Sequence, residues 1–413
     1  MAIDSYRILM IAPTSFFADY GCHVRILEEI RALQKRGHIV ELCTYHNGRD
    51  IEGIPIHRTV DIPWRKRVVV GSSKHKMYLD VALFATALRH ARRFKPDIIH
   101  AHLHEGALIG AFAGKLAGAP VVFDYQGSLT EEMMDHGFIP RSGLRARLFR
   151  KLESVIDRLP DVILPSSRAA ETHLRGRHAR LPDVRTISDA VDLDRFDPER
   201  WASARQAERA RLGIPPDAPV VVYLGLLADY QGTPALIEAA SQLLERRRDA
   251  YVVIAGYPGV GRHAAMAARL PHSERILFPG RIPYEDAPAL LSIGDAAAAP
   301  KRSATEANGK ILNYMAMRLP TVCVDNTVNR DLLGDLGYYV PPDDPAALAH
   351  QLHRALDAPE LMRDALRQRV TARFSWDRQI REIERIYAAL LSGLPLAAPA
   401  PRPSPADSLG SDD

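Results

Sequence analysis

In the run TEANGKILNYMAMRLPTV (residues 305–322), a threonine, an Asn-Gly pair and a lysine precede an apolar-periodic segment. A helix read from about Ala307 sets Ile311, Leu312, Met315 and Ala316 on one side and Lys310, Asn313 and Tyr314 on the other. Thr305 is placed to cap it, and Asn308 and Gly309 keep its first turn small. Unpaired N–H groups at a helix start, a glycine that permits close approach and a lysine on the open face together make an anion site. Lys301 and Arg302, in the preceding PKRS, add two more cations. The plainer alternative is an amphipathic helix with a solvated polar face.

Two further turns have the same chemistry. Gly225 closes PVVVYLG and Gly232 opens the segment after GLLADYQ, while Gly256 closes YVVIAG. Glycine after a strand lets backbone amides face a phosphate, although many such junctions use it only for packing. In the first half, Gly21 lies in FFADYGCH, and Gln126-Gly127 follows PVVFDY, where a ligand could again come close. His100, His102 and His104 alternate at the end of a run that reads as a strand, which puts all three on one face. Histidines suit metals, but Glu105 is the only acid nearby in sequence and no cysteine is close. They read as cleft-lining or packing side chains, and no metal site is expected.

The elements that would position these residues alternate between short β-rich runs and helical patterns, as in parallel sheets built from βαβ units. RILMIA, IVELCTY, DIIHAH, PVVFDY and VILPSS form one series; PVVVYLG, AYVVIAG, RILFPG, DAAAAP and PTVCVD form a second. Two such series imply two doubly wound α/β domains facing across a cleft, with ligands at the carboxyl ends of the strands. The expected division is 1–190 and 191–374, with a helix at 375–392 crossing back to the first domain. The Pro/Ala/Ser-rich stretch 393–413 reads as a disordered tail.

The 413 residues have a net charge of +4, too mild to argue for nucleic acid, and three scattered cysteines that fit a reducing compartment. RILMIA is too short for a signal-peptide core, and no apolar run reaches the roughly 18 residues that span a bilayer. A cytoplasmic protein is expected. One segment, 138–160, sets Leu144, Leu148, Leu152, Val155 and Leu159 at helical spacing among Arg141, Arg145, Arg147, Arg150 and Lys151. It reads either as a helix drawn to an anionic membrane surface or as a packed helix with a solvated basic face. The aromatic-basic IPWRKR at 62–67 adds a little to the first reading.

Taken together, VVYLGLLADYQGTPALIEAA, YVVIAGYPG, ILFPGRIPYEDAPALLSIGDAAAAP, NGKILNYMAMRLPTVCVD, the linker SDAVDLDRF and the terminal FSWDRQIREIERIY resemble the family-four retaining glycosyltransferases. The resemblance runs from about residue 6 to 390. It implies the GT-B fold, two facing Rossmann-like domains, with a nucleoside diphosphate sugar as donor and neither metal nor cofactor. It also implies a front-face displacement that retains configuration, onto a glycan, lipid-linked or small-molecule acceptor. The chain departs from the family at several places. Leu226 and Gln231 stand where an arginine and a lysine are usual, Asn313 where the second of two glutamates is usual, and Glu306 lies one residue off the first. Gln126 replaces a frequent histidine and Asp189 an asparagine. The pattern is similar to a branch with Tyr-Gln-Gly and Asn-Gly-Lys in the donor site.

On this reading Lys310, Glu306, His102 and Gln126 are the catalytic candidates. Gly21, Gly225, Gln231, Gly256, Lys301, Arg302, Thr305, Asn308, Gly309, Asn313 and Tyr314 are the donor-binding candidates. Lys310 is expected to face solvent and to compensate for the cations absent at 226 and 231. Two other readings stay open: a non-catalytic relative that binds sugar nucleotides or a partner, and a sugar-nucleotide epimerase of the same fold.

Overall fold

The computed structural model describes residues 5–19, 21–61, 76–135, 138–303 and 307–396. Among the described residues, thirteen strands form two sheets. The first has β1 (Arg7–Ala12), β2 (Ile39–Thr44), β3 (Ile56–Arg58), β4 (Ile98–His102), β5 (Val121–Tyr125), β6 (Val162–Pro165) and β7 (Asp183–Val184), in the order β3-β2-β1-β4-β5-β6-β7. The second has β8 (Val220–Leu226), β9 (Tyr251–Tyr257), β10 (Ile276–Leu277), β11 (Ala296–Ala299), β12 (Thr321–Val324) and β13 (Tyr338–Val340), in the order β10-β9-β8-β11-β12-β13. Every pairing is parallel. Parallel strands need crossovers, and helices on both faces bury the sheet, which is why these runs are almost continuously Val, Ile, Leu and Ala. The central strands β1, β4, β5, β9 and β11 are buried nearly throughout, and β8 is buried over its first four residues. The fold is GT-B: two doubly wound α/β units facing each other.

Contacts between the two units combine apolar packing, as of Phe17 on Tyr284, with specific polar pairs. Asp19 accepts from the backbone N–H of Tyr284 at 3.0 Å and pairs with Arg281 and Arg49. Arg49 also reaches Glu285 at 2.9 Å. The helix Trp376–Ser392 leaves the second unit and packs on the first, where Glu384 takes a bidentate pair from Arg36 at 2.8 and 2.9 Å. His38 lies 3.1 Å from the same carboxylate. At its C-terminal end the chain is described as far as residue 396, where the carbonyl of Leu396 accepts from Arg185 at 3.1 Å; the rest of the expected tail lies outside the described residues.

Three sequence-based expectations change here. The helix at the donor end spans Lys310–Ala316 instead of starting near Ala307. His104 does not share the face of His100 and His102. Leu103 adopts a left-handed φ of 61°, which turns the chain out of the strand and into the helix Leu103–Ala117. The five apolar residues singled out in the 138–160 segment do not pack inward: Leu144, Leu148, Leu152, Val155 and Leu159 are all exposed. The IPWRKR stretch lies outside the described residues. Among the described residues no helix is long and apolar enough to cross a membrane.

Candidate active site

A cavity of about 360 Å³ lies between the facing carboxyl edges of the two sheets. On one side its wall is made by residues that follow β1 (Thr14, Ser15), β4 (His104), β5 (Gln126, Gly127) and β6 (Ser166). On the other it is made by the ends of β8 and β9, by Lys301 after β11, and by Asn308 to Lys310. This is where an α/β fold delivers its ligands, because strand ends and helix starts bring unpaired backbone amides to one edge.

The second unit's wall is built around a lysine. Lys310 Nζ donates to Gln231 Oε1 at 2.8 Å and to the Tyr223 hydroxyl at 3.3 Å, and sits 4.5 Å from the centre of the Tyr223 ring. It gets there because residue 225 has no side chain: a Cβ on Gly225 would lie 2.9 Å from the ammonium. Gly256 pairs with Gly225 across the strands at a φ of 149°, and a Cβ there would lie 1.7 Å from the Gly225 carbonyl oxygen. The two glycines leave the sheet edge bare beside a cation. Burial, with Lys301's charge adding, pushes the Lys310 amine down to about 7. Lys301 lines the same wall and donates to the Ala307 carbonyl at 3.0 Å. Asn308 is 3% exposed and gives its amide to Asn329 at 3.1 Å, leaving its own Oδ1 without a hydrogen-bond partner.

The first unit's wall rests on a buried ion-pair network. Arg25 grips Asp124 through Nη2 at 2.7 Å and Nε at 3.0 Å, and reaches Asp189 at 2.7 Å and the Ile187 carbonyl at 3.1 Å. His102 Nδ1 and Gln126 Nε2 meet the other Asp124 oxygen at 2.9 and 2.7 Å. Burial alone would raise the Asp124 carboxyl, but the Arg25 and His102 charges hold it far below the usual carboxylate range. Arg25 is likewise held well above its ordinary value: Asp124 and Asp189 outweigh the cost of its burial. Arg25, Asp189 and Gln126 line the cavity. Asp189 also faces the second unit, where a Cβ on Gly309 would lie 3.3 Å from its Oδ2.

The structure brings together Gly21, Gly225, Gln231, Gly256, Lys301, Asn308, Gly309, Lys310, Asn313 and Gln126 on one cavity. It corrects others. Lys310 is not on a solvated face but is held against Tyr223 and Gln231. Tyr314 lines the cavity but is buried, its hydroxyl accepting from the Leu224 N–H at 2.9 Å, so it supports β8 more than it presents a polar group. Arg302 is turned away: it is exposed and bound to Asp343 at 2.8 Å and to the Asp229 carbonyl at 2.7 Å. Gly232 is a packing glycine, since a Cβ there would lie 2.3 Å from the Pro300 carbonyl. His102 is fully buried and does not line the cavity; it is linked to the lining residues Gln126 and Arg25 through Asp124. Thr305 and Glu306 lie outside the described residues.

The histidines also have more acids near them than Glu105. Glu29 is 3.2 Å from His100, while Glu153 and Asp157 are 3.5 and 3.3 Å from His104; helices distant in sequence bring them in.

Residues 20–190 match the model of the glycosyl transferase 4-like domain, and residues 204–372 that of glycosyl transferases group 1. The alpha-D-kanosaminyltransferase of Streptomyces kanamyceticus is 31% identical over 288 residues, which cover 66% of this chain and 72% of that protein. The chain belongs to the family-four glycosyltransferases. The D-inositol 3-phosphate glycosyltransferase of Salinispora tropica is 26% identical over 89% of this chain and 80% of its own length. Two solved structures share the fold over 94% of the chain. HepE of Anabaena, in complex with UDP and glucose, has a TM-score of 0.73 at 18% identity and is covered over its full length. The sucrose-phosphate synthase of Thermosynechococcus elongatus has a TM-score of 0.78 at 19% and is covered over 99%.

For a family-four glycosyltransferase the pairing of Lys310 with Gln231 is informative. Gln231 stands where the family resemblance places a lysine, and it holds an ammonium delivered from a different element. A cation therefore reaches this turn although the turn itself has none. Sequence reasoning missed Arg25, Asp124 and Asp189 as a unit. An arginine between Val24 and Ile26 in an otherwise apolar-periodic helix was the available signal, and only the fold supplies its partners.

Proposed function

We propose that this glycosyltransferase takes a sugar from a nucleoside diphosphate sugar and passes it, with retention of configuration and without a metal, to a glycan, lipid-linked or small-molecule hydroxyl in the cytoplasm. The observation that carries the proposal is the Lys310 ammonium, held by Gln231 beside the bare Gly225–Gly256 edge within the cleft. A diphosphate there meets Lys310 and Lys301, which supply the countercharge that a metal ion supplies elsewhere. HepE, solved with UDP and glucose, lends support to a nucleotide donor.

In the reaction the acceptor oxygen bonds to the anomeric carbon on the face from which the phosphate leaves. The anomeric carbon–oxygen bond breaks, and the acceptor proton passes to the departing phosphate oxygen. Charge grows on that phosphate in the transition state, so Lys310 stabilises it more than the ground state. Asn313 hydrogen-bonds a donor hydroxyl. Gln126, its amide nitrogen tied to Asp124, offers its carbonyl to the acceptor hydroxyl, and Arg25 and Asp124 position it.

Donor turnover with and without acceptor, followed by NMR of the anomeric product, tests this. Release of nucleoside diphosphate that needs an acceptor, with configuration kept, is expected. Inversion would remove the front-face step. Acceptor-free conversion to an epimeric sugar would favour the epimerase reading. Binding without turnover would favour a binding subunit.

A further inference from the structure

The helix Leu144–Ile156 has two apolar sides. Its inner side, Ala146, Phe149 and Ile156, packs inward, with Ala146 and Phe149 joining Met133, Met134 and Ile139 of the neighbouring segment. Its outer side has no such cover. Leu144, Leu148 and Leu152 follow each other at i, i+4 spacing with exposures of 83, 63 and 45%, and Val155 and Leu159 extend the line at 49 and 37%. A continuous apolar ridge on a protein surface marks an interaction site.

The charges beside the ridge identify its partner. Arg145, Arg147, Arg150, Lys151 and Arg158 are all exposed around the same helix. The two acids in 141–159, Glu153 and Asp157, are buried and engaged: Glu153 pairs with Arg177 at 2.9 Å, and Asp157 with His178 at 2.9 Å. The outward side of this helix is thus apolar along its crest and basic on its flanks, and the helix presents no acid there. An apolar crest with basic flanks fits the acyl–headgroup boundary of a bilayer that carries anionic lipid.

We infer that the ridge Leu144–Leu148–Leu152–Val155–Leu159 docks the protein on anionic membrane surfaces. The preceding helix, Leu129–Asp135, contributes Leu129, Glu131 and Glu132 to the cavity wall, so docking brings that side of the cleft close to the headgroups. This inference does not rest on the transferase reading, and it stands if the protein proves to be a binding subunit.

Sedimentation with vesicles tests it, using phosphatidylcholine alone and phosphatidylcholine with roughly 30% phosphatidylglycerol. The full chain is expected to co-sediment with the anionic vesicles only, and to be released by about 0.5 M sodium chloride. Leu148→Ser with Leu152→Ser should abolish binding without changing Tm, since both side chains are exposed. Arg145→Glu with Lys151→Glu should weaken it by about tenfold or more, each basic residue near such a surface being worth about fivefold. Equal binding to neutral vesicles, no binding to anionic ones, or unchanged binding by both variants would overturn the inference. So would a dimer in sedimentation velocity that Leu148→Ser dissociates while vesicles are ignored; a second copy would then cover the ridge.

Discussion

Lys310 carries most of the chemistry argued above, and its position makes that chemistry depend on pH. Its amine, pushed down to about 7 by burial and Lys301, is only partly charged at neutral pH in the free protein. A diphosphate binds the charged form. Affinity should therefore weaken as pH rises from about 7 to 9, by up to roughly tenfold per unit, and binding should take up protons in calorimetry across buffers of different ionisation enthalpy. Lys310→Met should flatten that slope. The same shift has the opposite sign for folding. A lysine whose folded pKa lies below its unfolded value destabilises the charged state, so Lys310→Met should raise Tm most below pH 7 and least near pH 10. At this scale the types at 301, 308–310 and 313 were legible from composition and spacing. The inward turn of Lys310 was not, because it depends on the missing side chain at Gly225, on a strand far back in the sequence. Arg302 shows the converse: next to Lys301 in sequence, it finds Asp343 and leaves the site.

At the scale of elements, the long Val/Ile runs read directly as strands, since only strands buried on both faces are so uniformly apolar. The short edge strands β3, β7 and β13, two or three residues each, gave no such run and escaped notice. Periodicity also told that 141–159 holds an amphipathic helix, observed at Leu144–Ile156, but not which side faces out; that was set by Ala146, Phe149 and Ile156 filling the inner contact. The β8–β9 edge is the element on which the donor wall depends. Gly256→Ala places a methyl group where the Gly225 carbonyl already stands, at a φ that L-residues avoid. It should destabilise the protein by about 3 kcal/mol or more in denaturant titration and weaken nucleotide binding in whatever remains folded.

On the scale of the whole molecule, the terminal helix fixes the two units relative to each other. Glu384 is held below its usual pKa: burial raises it, but Arg36 and His38 outweigh burial. A carboxylate so depressed contributes stability above its unfolded pKa and loses it as pH falls through the folded value. Glu384→Gln should thus cost about 1–3 kcal/mol at pH 7 and little in strong acid, measured by thermal unfolding. Two facing α/β units were legible from the order of elements alone, while the buried Arg25–Asp124–Asp189 unit beneath the cleft was not, since no local pattern announces a pair formed across 99 residues. The most direct test of the account is calorimetric titration of UDP, GDP, ADP and TDP into the wild type and Lys310→Ala. At least one nucleotide is expected to bind, and the substitution to raise its Kd by roughly tenfold or more, as for a lost charged hydrogen bond. No binding by any of the four, or equal binding by both proteins, would contradict it.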